Sequence, residues 1–364
     1  MISRRHMSRR LAAGLAAAGL ACGLALGGAG AAPAAVPNYW AFALVQSASG
    51  PVTAGHWAES VPSPTPTATP TAPGREVVRF PDIGFTKTGV VHVTAVIDEF
   101  AWCQAQGWRP LGGAELVMVQ CYVQGGTPQF VPFTVTFGES SGTLPGGLKY
   151  AYLYHTPTGT VTSFNSAGLA NAVTTTGTGV WQVRLHGLGP ATPSGGVQVT
   201  AVNKASPAIC DVGATAQTTS EQVIQVRCYS KLGVPMKTGW TLSYQRGRAI
   251  TGALPKFFGY TVYNKLACPL VPAPPAVNFN SAGATNSIAC ALPSPVNWLV
   301  KLPMIGVKPD TVLVTAEAPT ATVCNLNTVW ATAGGDAIIR DVVCYRVPGS
   351  FATARWFLSY ATKS

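Results

Sequence analysis

Apolar and polar residues alternate along much of this chain with the period of a β-strand. Ile224, Val226 and Cys228 fall on one face of such a strand, and Gln225 and Arg227 fall on the other. Successive side chains of a strand point to opposite faces, so the alternation predicts strands with one buried face. The alternating stretches are short and lie between turns rich in the chain's 39 glycines and 29 prolines. The pattern predicts an all-β protein built from antiparallel sheets.

The same series of strands recurs three times. In each copy a Val-x-Val-Thr-Ala type strand precedes two cysteines and an aromatic-rich strand, and the copies read VVHVTAV to FTVTF, VQVTAV to WTLSY and VLVTAE to FLSY. The period of roughly 110 residues is the size of a small domain and exceeds that of solenoid repeats. We therefore expect three tandem domains, called repeats 1, 2 and 3, at 36–138, 148–245 and 256–364.

Each repeat is expected to hold about six or seven short strands, which is typical of an antiparallel β-sandwich. Strand number alone leaves the jelly-roll and immunoglobulin-like topologies both open. Repeat 1 carries a proline- and threonine-rich insertion near 62–74, which we expect to be an exposed loop. Leu-Pro linkers at 142–146 and 252–256 predict that the domains sit as semi-rigid beads.

The N-terminus is organised like a secretory signal peptide. Four arginines precede an apolar run from 11 to about 26, and small residues follow to Ala35. We expect residues 1–34 to be a signal peptide and the mature protein to be secreted, either extracellular or associated with the cell surface. No later segment has 18 uninterrupted apolar residues, so no membrane span is expected after cleavage.

Charge and sequence motifs exclude several kinds of partner. The formal net charge of +11 falls to +7 without the first 34 residues, which hold four arginines and no acidic residue. The remaining basic residues are scattered rather than arranged as a stripe with stacking aromatics, so no nucleic-acid partner is expected. The chain has no phosphate-binding loop or dinucleotide fingerprint, so no cofactor is expected.

The cysteines predict disulfides. Eight of the nine follow the signal segment, and an even number in an exported chain favours pairing. Cys268 and Cys290 both lie in repeat 3 and are expected to pair with each other. Cysteine or histidine neighbours at zinc-site spacing are absent, so no metal is expected. The other three predicted pairs occupy the same place in each repeat: Cys103–Cys121, Cys210–Cys228 and Cys324–Cys344.

Two resemblances agree with this organisation. Asn165-Ser-Ala-Gly followed by Gly177-x-Gly-x-Trp-x-Val-x-Leu185 is similar to the central hairpins of C1q-like jelly rolls. The recurring Val-x-Val-Thr-Ala strand with its two cysteines also resembles tandem repeats of exported actinobacterial proteins, over nearly all of the mature chain. The resemblance implies export and a β-rich fold, and it carries no functional residue over to this chain.

Few residue patterns point to catalysis. Gly138-Glu-Ser-Ser-Gly142 matches the G-x-S-x-G nucleophile elbow, but a linker follows it instead of a helix, so no catalytic residue is assigned there. Asp98 with Glu99, or Asp336 with Asp341, are carboxylate pairs of the kind that glycosidases use. Ordinary surface-turn acids are the alternative interpretation of both pairs.

Aromatic residues indicate both core and surface. Trp181 and Trp298 recur at equivalent strand positions, as do Trp240, Phe133 and Trp356, and recurrence indicates the core. Trp57 and Trp102 have no equivalents in the other repeats. These two are the candidates for a ligand-contact surface, because exposed aromatic rings stack on ligands such as sugars. The alternative interpretation is that each fills a local gap in the packing.

The expected function is a secreted, non-enzymatic array of binding or structural modules. The expected partner is a cell-wall or extracellular polysaccharide, or a protein surface. One alternative is a secreted hydrolase with a site in repeat 1, built from His56, His92, Asp98 and Glu99, although His92 is expected to face outwards from its strand. The other is a protease inhibitor or adhesin acting on a protein partner.

Overall fold

The computed structural model describes residues 39–52, 65–84, 88–140, 148–189, 195–265, 269–291 and 297–363. The expected signal peptide, His56, Trp57 and Cys268 lie outside these ranges. The described residues form strands and turns with one short 3-10 segment, Gln124–Gly126, which confirms the all-β class. Among them no helix is long and apolar enough to cross a membrane. Residues Ala35–Ser364 cluster as one compact unit.

The strands follow the repeats. Repeat 1 contains β1 Tyr39–Val45, β2 Gly50–Pro51, β3 Thr67–Ala72, β4 Arg75–Phe80, β5 Val90–Ala95, β6 Ala101–Leu111, β7 Ala114–Val123, β8 Thr127–Pro128 and β9 Phe133–Glu139. Repeat 2 contains β10 Lys149–Thr156, β11 Gly159–Asn165, β12 Asn171–Gly177, β13 Val180–His186, β14 Gly196–Val202, β15 Ala208–Gln217, β16 Glu221–Ser230 and β17 Gly239–Arg246. Repeat 3 contains β18 Phe258–Tyr263, β19 Val277–Asn280, β20 Ser287–Cys290, β21 Asn297–Leu302, β22 Asp310–Glu317, β23 Thr322–Leu326, β24 Ala331–Ala333, β25 Asp336–Arg346, β26 Ser350–Phe351 and β27 Arg355–Thr362.

Each repeat arranges its strands in two antiparallel sheets. In repeat 2 the orders are β11-β10-β17-β14 and β12-β13-β16-β15. Repeat 3 has the same orders, β19-β18-β27-β22 and β20-β21-β25-β23, and repeat 1 has β1-β9-β5 and β3-β4-β7-β6. Repeats 2 and 3 thus have two four-stranded sheets, the strand number of a jelly roll, whereas the first sheet of repeat 1 has three strands.

The disulfides staple hairpins within one sheet. In all three described bonds the cysteines lie directly opposite each other on neighbouring strands: Cys103–Cys121, Cys210–Cys228 and Cys324–Cys344. Immunoglobulin domains instead join their two sheets with a disulfide. Cys290 is also disulfide-bonded, but its pairing with Cys268 stays a prediction because Cys268 lies outside the described residues. Such bonds indicate an oxidising, extracellular-type environment.

Aromatic side chains fill the space between the sheets. Trp181 and Trp240 lie with ring centroids 5.8 Å apart in repeat 2, and Trp298 and Trp356 lie 6.3 Å apart in repeat 3. Phe133 holds the equivalent place in repeat 1, and all five side chains are less than 2% exposed. Their recurrence in the sequence therefore indicated the core correctly, and each burial contributes about 1.5–3 kcal/mol before entropy costs.

The proline- and threonine-rich segment is not wholly a loop. Thr67–Ala72 forms strand β3, which buries Ala68 and pairs with β4 on one side. On its other side β3 pairs with β2 at Thr67 and Ala68, and from Thr69 onwards it is a sheet edge among the described residues. This strand takes the place of β12 and β20 in the other repeats. An edge strand tolerates Pro70 because one row of its backbone groups needs no partner strand. The prediction of an exposed loop is wrong for this part, and residues 53–64 lie outside the described ranges.

The repeats pack against one another in a closed cycle, so they are not the semi-rigid beads on linkers that the sequence predicts. Each repeat places its second sheet against the end of the Val-x-Val-Thr-Ala strand of the next repeat. The contacts are parallel bridges between Ala105 and Val202, between Val212 and Glu317, and between Leu326 and Val96. Because repeat 3 returns to repeat 1, the three repeats enclose a pseudo-threefold axis.

A ring of threonines reinforces this cycle. Thr94, Thr200 and Thr315 occupy the same position of the three Val-x-Val-Thr-Ala strands, and each hydroxyl accepts a backbone N–H from another repeat. The bonds are Val93 N to Thr200 Oγ1 at 3.2 Å, Val199 N to Thr315 Oγ1 at 3.1 Å and Val314 N to Thr94 Oγ1 at 3.0 Å. The same threonines line an axial cavity of about 50 Å³, room for only a few waters.

The position two residues before each threonine differs among the repeats. It is His92 in repeat 1, Gln198 in repeat 2 and Leu313 in repeat 3, and all three are at most 2% exposed. His92 Nε2 lies 2.7 Å from Ser243 Oγ of repeat 2, and Gln198 Nε2 donates to Ser359 Oγ of repeat 3 at 3.2 Å. His92 faces away from the core of its own repeat, in which Val91 and Val93 pack. Its side chain is nevertheless buried, because the outer face of its strand meets the neighbouring repeats.

Candidate binding site

Three equivalent turns surround one end of the pseudo-threefold axis. Each turn follows the strand that carries the second cysteine of its repeat. It places a glycine with a positive φ angle against the next repeat. A Cβ at Gly126 would lie 3.3 Å from Pro207 Cγ, one at Gly233 would lie 3.6 Å from Ala321 Cβ, and one at Gly349 would lie 3.0 Å from Phe100 Cδ1. Glycine permits this left-handed conformation and this close approach.

Only the turn of repeat 3 carries an aromatic side chain on its return strand. Phe351 pairs with Tyr345, whereas prolines hold that place in the other repeats, Pro128 opposite Tyr122 and Pro235 opposite Tyr229. The Phe351 ring is 61% exposed and stacks on Tyr345 with centroids 5.1 Å apart. An exposed aromatic ring held flat by a buried one is a ready stacking surface.

A groove of about 420 Å³ runs between repeats 1 and 3 beside this ring. Its size is within the range of small-molecule sites. Asp98 and Glu99 are exposed on one side, and Phe351 is exposed on the other. We call this groove the acidic groove. Its lining residues are Asp98, Glu99, Phe100, Val123, Gln124, Gln129, Tyr345, Gly349 and Phe351.

Trp102 lies beneath the acidic groove. The Phe100 ring stands 5.8 Å from Tyr345 and 5.5 Å from Trp102, and Trp102 stands 5.4 Å from Tyr122. Trp102 is only 3% exposed, so its prediction as a ligand-contact residue is corrected. It supports the floor of the groove instead, because side chains from repeats 2 and 3 cover it. Trp57 lies outside the described residues.

The electrostatics of the acidic groove are set by its carboxylates and by one buried hydroxyl. Burial, reinforced by Asp98 and Glu99, raises the pKa of Tyr345 to about 12. The Tyr345 hydroxyl has no hydrogen-bond partner among the described residues, although an unpaired buried polar group costs about 1–3 kcal/mol. Burial and the neighbouring Asp98 also raise the pKa of Asp341.

A second groove adjoins the first. We call it the proline groove; it measures about 500 Å³ and meets the acidic groove at Gln129, which lines both. Glu76 lines it with a side chain that is 2% exposed, and its Oε2 has no partner within the described part of the chain. Burial raises the pKa of Glu76 to about 7. Its other lining residues are Ala48, Pro70, Ala72, Pro73, Gly74, Pro128, Gln129 and Phe130.

The sequence contained a signal for the acidic groove. Asp98-Glu99-Phe100 of repeat 1 stands where repeat 3 has Pro319-Thr320-Ala321. Phe351, which stands where the other two repeats have prolines, is another departure from the repeat. Each departure occurs at a position that the repeats share. Sequence reasoning examined Asp98 and Glu99 only as a catalytic pair and missed Phe351, because the two segments are more than 200 residues apart.

Of the residues proposed for a hydrolytic site, His56 lies outside the described ranges and the described ones are not brought together. His92 is buried on the axis, and Asp98 and Glu99 lie in the acidic groove. Ser140 is 4% exposed, its backbone is held by the Tyr152 hydroxyl at 2.8 and 3.1 Å, and the next described element is strand β10.

The second carboxylate pair is also divided. Asp336 forms an ion pair with Lys301 at 2.7 Å and accepts the Met304 N–H, and these contacts lower its pKa. Asp341 is instead near Asp98 of repeat 1. Over the described ranges, no group of three His, Cys, Asp or Glu side chains could hold a metal ion.

No protein-family model matches the chain, and comparisons with curated proteins and with solved structures find no match either.

Proposed function

We propose that the mature chain is a secreted, non-enzymatic binding protein and that the acidic and proline grooves hold its ligand, a cell-wall or extracellular polysaccharide. The observation that carries this proposal is Phe351, an exposed ring stacked on buried Tyr345 at one of three otherwise equivalent turns. Sugar rings offer apolar faces to such a surface.

Two further features support a polymeric ligand. The amides of Gln124 and Gln129 can donate to and accept from sugar hydroxyls, and both side chains line the acidic groove. The two grooves share Gln129, so together they offer a longer path than a single sugar needs. The cyclic packing and the disulfides hold these walls rigid, which reduces the entropy lost on binding.

The proposal is tested by pull-down of the chain from residue 35 onwards on chitin, cellulose, starch and peptidoglycan, with salt varied. Salt-resistant binding to one polymer is expected. Phe351→Ala should weaken it about tenfold, because one aromatic contact is worth on the order of 1 kcal/mol or more. Leu232→Ala, which removes an exposed apolar side chain from the repeat 2 turn, is the matched control and should bind like the parent.

Three outcomes would contradict the proposal. Binding that disappears with salt and does not depend on Phe351 would reflect only the net positive charge. Binding to no polymer would favour a protein partner. Release of soluble sugar from the polymer by the purified chain would favour the hydrolase alternative.

A further inference from the structure

The acidic groove and the proline groove share a feature that a neutral polysaccharide does not require. Each is lined by acidic residues, Asp98 and Glu99 in the first and the buried Glu76 in the second. The chain as a whole carries a net positive charge, so acidic residues in both adjoining grooves are opposite in sign to the net charge.

Glu76 is the more informative of these groups. Its side chain is 2% exposed, it lines an open groove, and its Oε2 lacks a hydrogen-bond partner among the described residues. A buried carboxyl oxygen without a donor is costly, and an N–H donor from a ligand would remove that cost. The Tyr345 hydroxyl presents a similar unpaired polar group in the wall of the acidic groove.

The apolar surfaces beside these groups fit rings and not extended charged chains. The proline groove is lined by three prolines and Phe130, and the acidic groove by Phe351 and Phe100. An ammonium group beside an aromatic face also gains from the electron density of the ring. The combination calls for a ligand that carries both a flat apolar face and a cationic amine on the same unit.

We propose that the ligand is a polysaccharide of amino sugars with free amines, whose ammonium groups bind Asp98 and Glu99 in the acidic groove and Glu76 in the proline groove. This inference rests on the proposed function and specifies its substrate class. The polymer lies across Gln129, sugar faces contact Phe351 and Phe130, and charge-assisted hydrogen bonds to the carboxylates distinguish a free amine from an acetylated one.

The test is isothermal titration of the chain from residue 35 onwards with three hexamers at physiological salt: glucosamine, N-acetylglucosamine and glucose. The parent should bind the glucosamine hexamer at least about tenfold more tightly than the acetylated one, since charged hydrogen bonds are worth more than neutral ones. Asp98→Asn with Glu99→Gln, and separately Glu76→Gln, should each reduce this preference severalfold. Glu317→Gln removes a carboxyl from the groove between repeats 2 and 3 and should leave the preference unchanged.

The outcomes separate this inference from the proposed function. Equal affinity for all three hexamers that still depends on Phe351 would overturn the amine assignment and leave polysaccharide binding intact. An amine preference insensitive to the Asp98, Glu99 and Glu76 variants would overturn the assignment to these grooves. Oligolysine binding as tightly as the glucosamine hexamer, with the same variant sensitivity, would show simple attraction of cations and overturn the sugar assignment. No binding to any hexamer would contradict both proposals.

Discussion

Replacement of His92 by glutamine tests whether the pseudo-threefold interface makes the fold sensitive to acid. His92 is 2% exposed and lies within hydrogen-bond distance of Ser243 Oγ, and burial lowers its pKa to about 3 from an ordinary value of 6.5. The unfolded chain therefore takes up a proton near pH 6.5 that the folded chain refuses until near pH 3. Stability from the neutral imidazole is present above pH 6.5 and is lost as the pH falls.

The magnitude follows from proton linkage. One pKa unit corresponds to about 1.36 kcal/mol, so between pH 7 and pH 5 the shift of His92 costs the parent protein about 2 kcal/mol. Such a loss is a large fraction of the 5–15 kcal/mol that typically stabilises a domain. Glutamine should be accommodated, because Gln198 makes the equivalent contact with Ser359 in repeat 2.

The assay is urea unfolding followed by tryptophan fluorescence, without reductant, at pH 7, 6 and 5. The free energy of unfolding of His92→Gln relative to the parent should rise by about 2 kcal/mol from pH 7 to pH 5. Comparison of two proteins at each pH cancels the contribution of the buried glutamates, which titrate in the same range. Parallel pH profiles, or an NMR titration showing that folded His92 protonates above pH 5, would refute the reasoning.

Three further predictions concern stability. Glu115 is fully buried, neither carboxylate oxygen has a partner among the described residues, and burial, reinforced by Glu139, raises its pKa to about 8. Its contribution to stability is present below its unfolded pKa and is lost as the pH rises through 8. Glu115→Gln should therefore stabilise by on the order of 4 kcal/mol at pH 8 and little at pH 4 in urea unfolding. Thr200→Val should cost about 1–3 kcal/mol by leaving the Val93 N–H without its acceptor, and restoration by Thr200→Ser would be the supporting result. Gly349→Ala, at φ +141° against a packed ring, should lower the melting temperature more than Gly112→Ala, at φ +56° in open space; equal losses would contradict the packing argument.

The fold class and the repeat were readable from the chain because both depend on local pattern. Period-two alternation identifies a strand wherever it packs, as in Ile224, Val226 and Cys228, whose side chains are all buried. Hairpin partners are close in sequence, which is why the equivalent cysteine positions indicated the bonded pairs within repeats. Aromatic residues at equivalent positions, such as Trp181 and Trp298, indicated the core for the same reason.

The candidate site was only partly readable. Asp98 and Glu99 were noticed as acidic residues, but their neighbours in the groove come from repeat 3, and Phe351 lies about 250 residues further along the chain. Trp102 was singled out because it lacks equivalents, yet it packs with Phe100 and Tyr122 under the groove. A residue without equivalents in the other repeats identifies a place where one repeat differs, but it does not show whether the side chain faces solvent.

By itself, the sequence determined the strands, their repetition and the covalent links that follow from local spacing. Only the tertiary structure decided that the three repeats close into a cycle, since contacts such as Val314 N to Thr94 Oγ1 join residues 220 apart. Strands β5, β14 and β22 gave little signal of this contact, because polar residues such as His92, Gln198 and Thr315 alternate with valines as in strands that bury only one face. The partner for the second face is set by packing between distant segments, and that packing buried His92 and created the grooves.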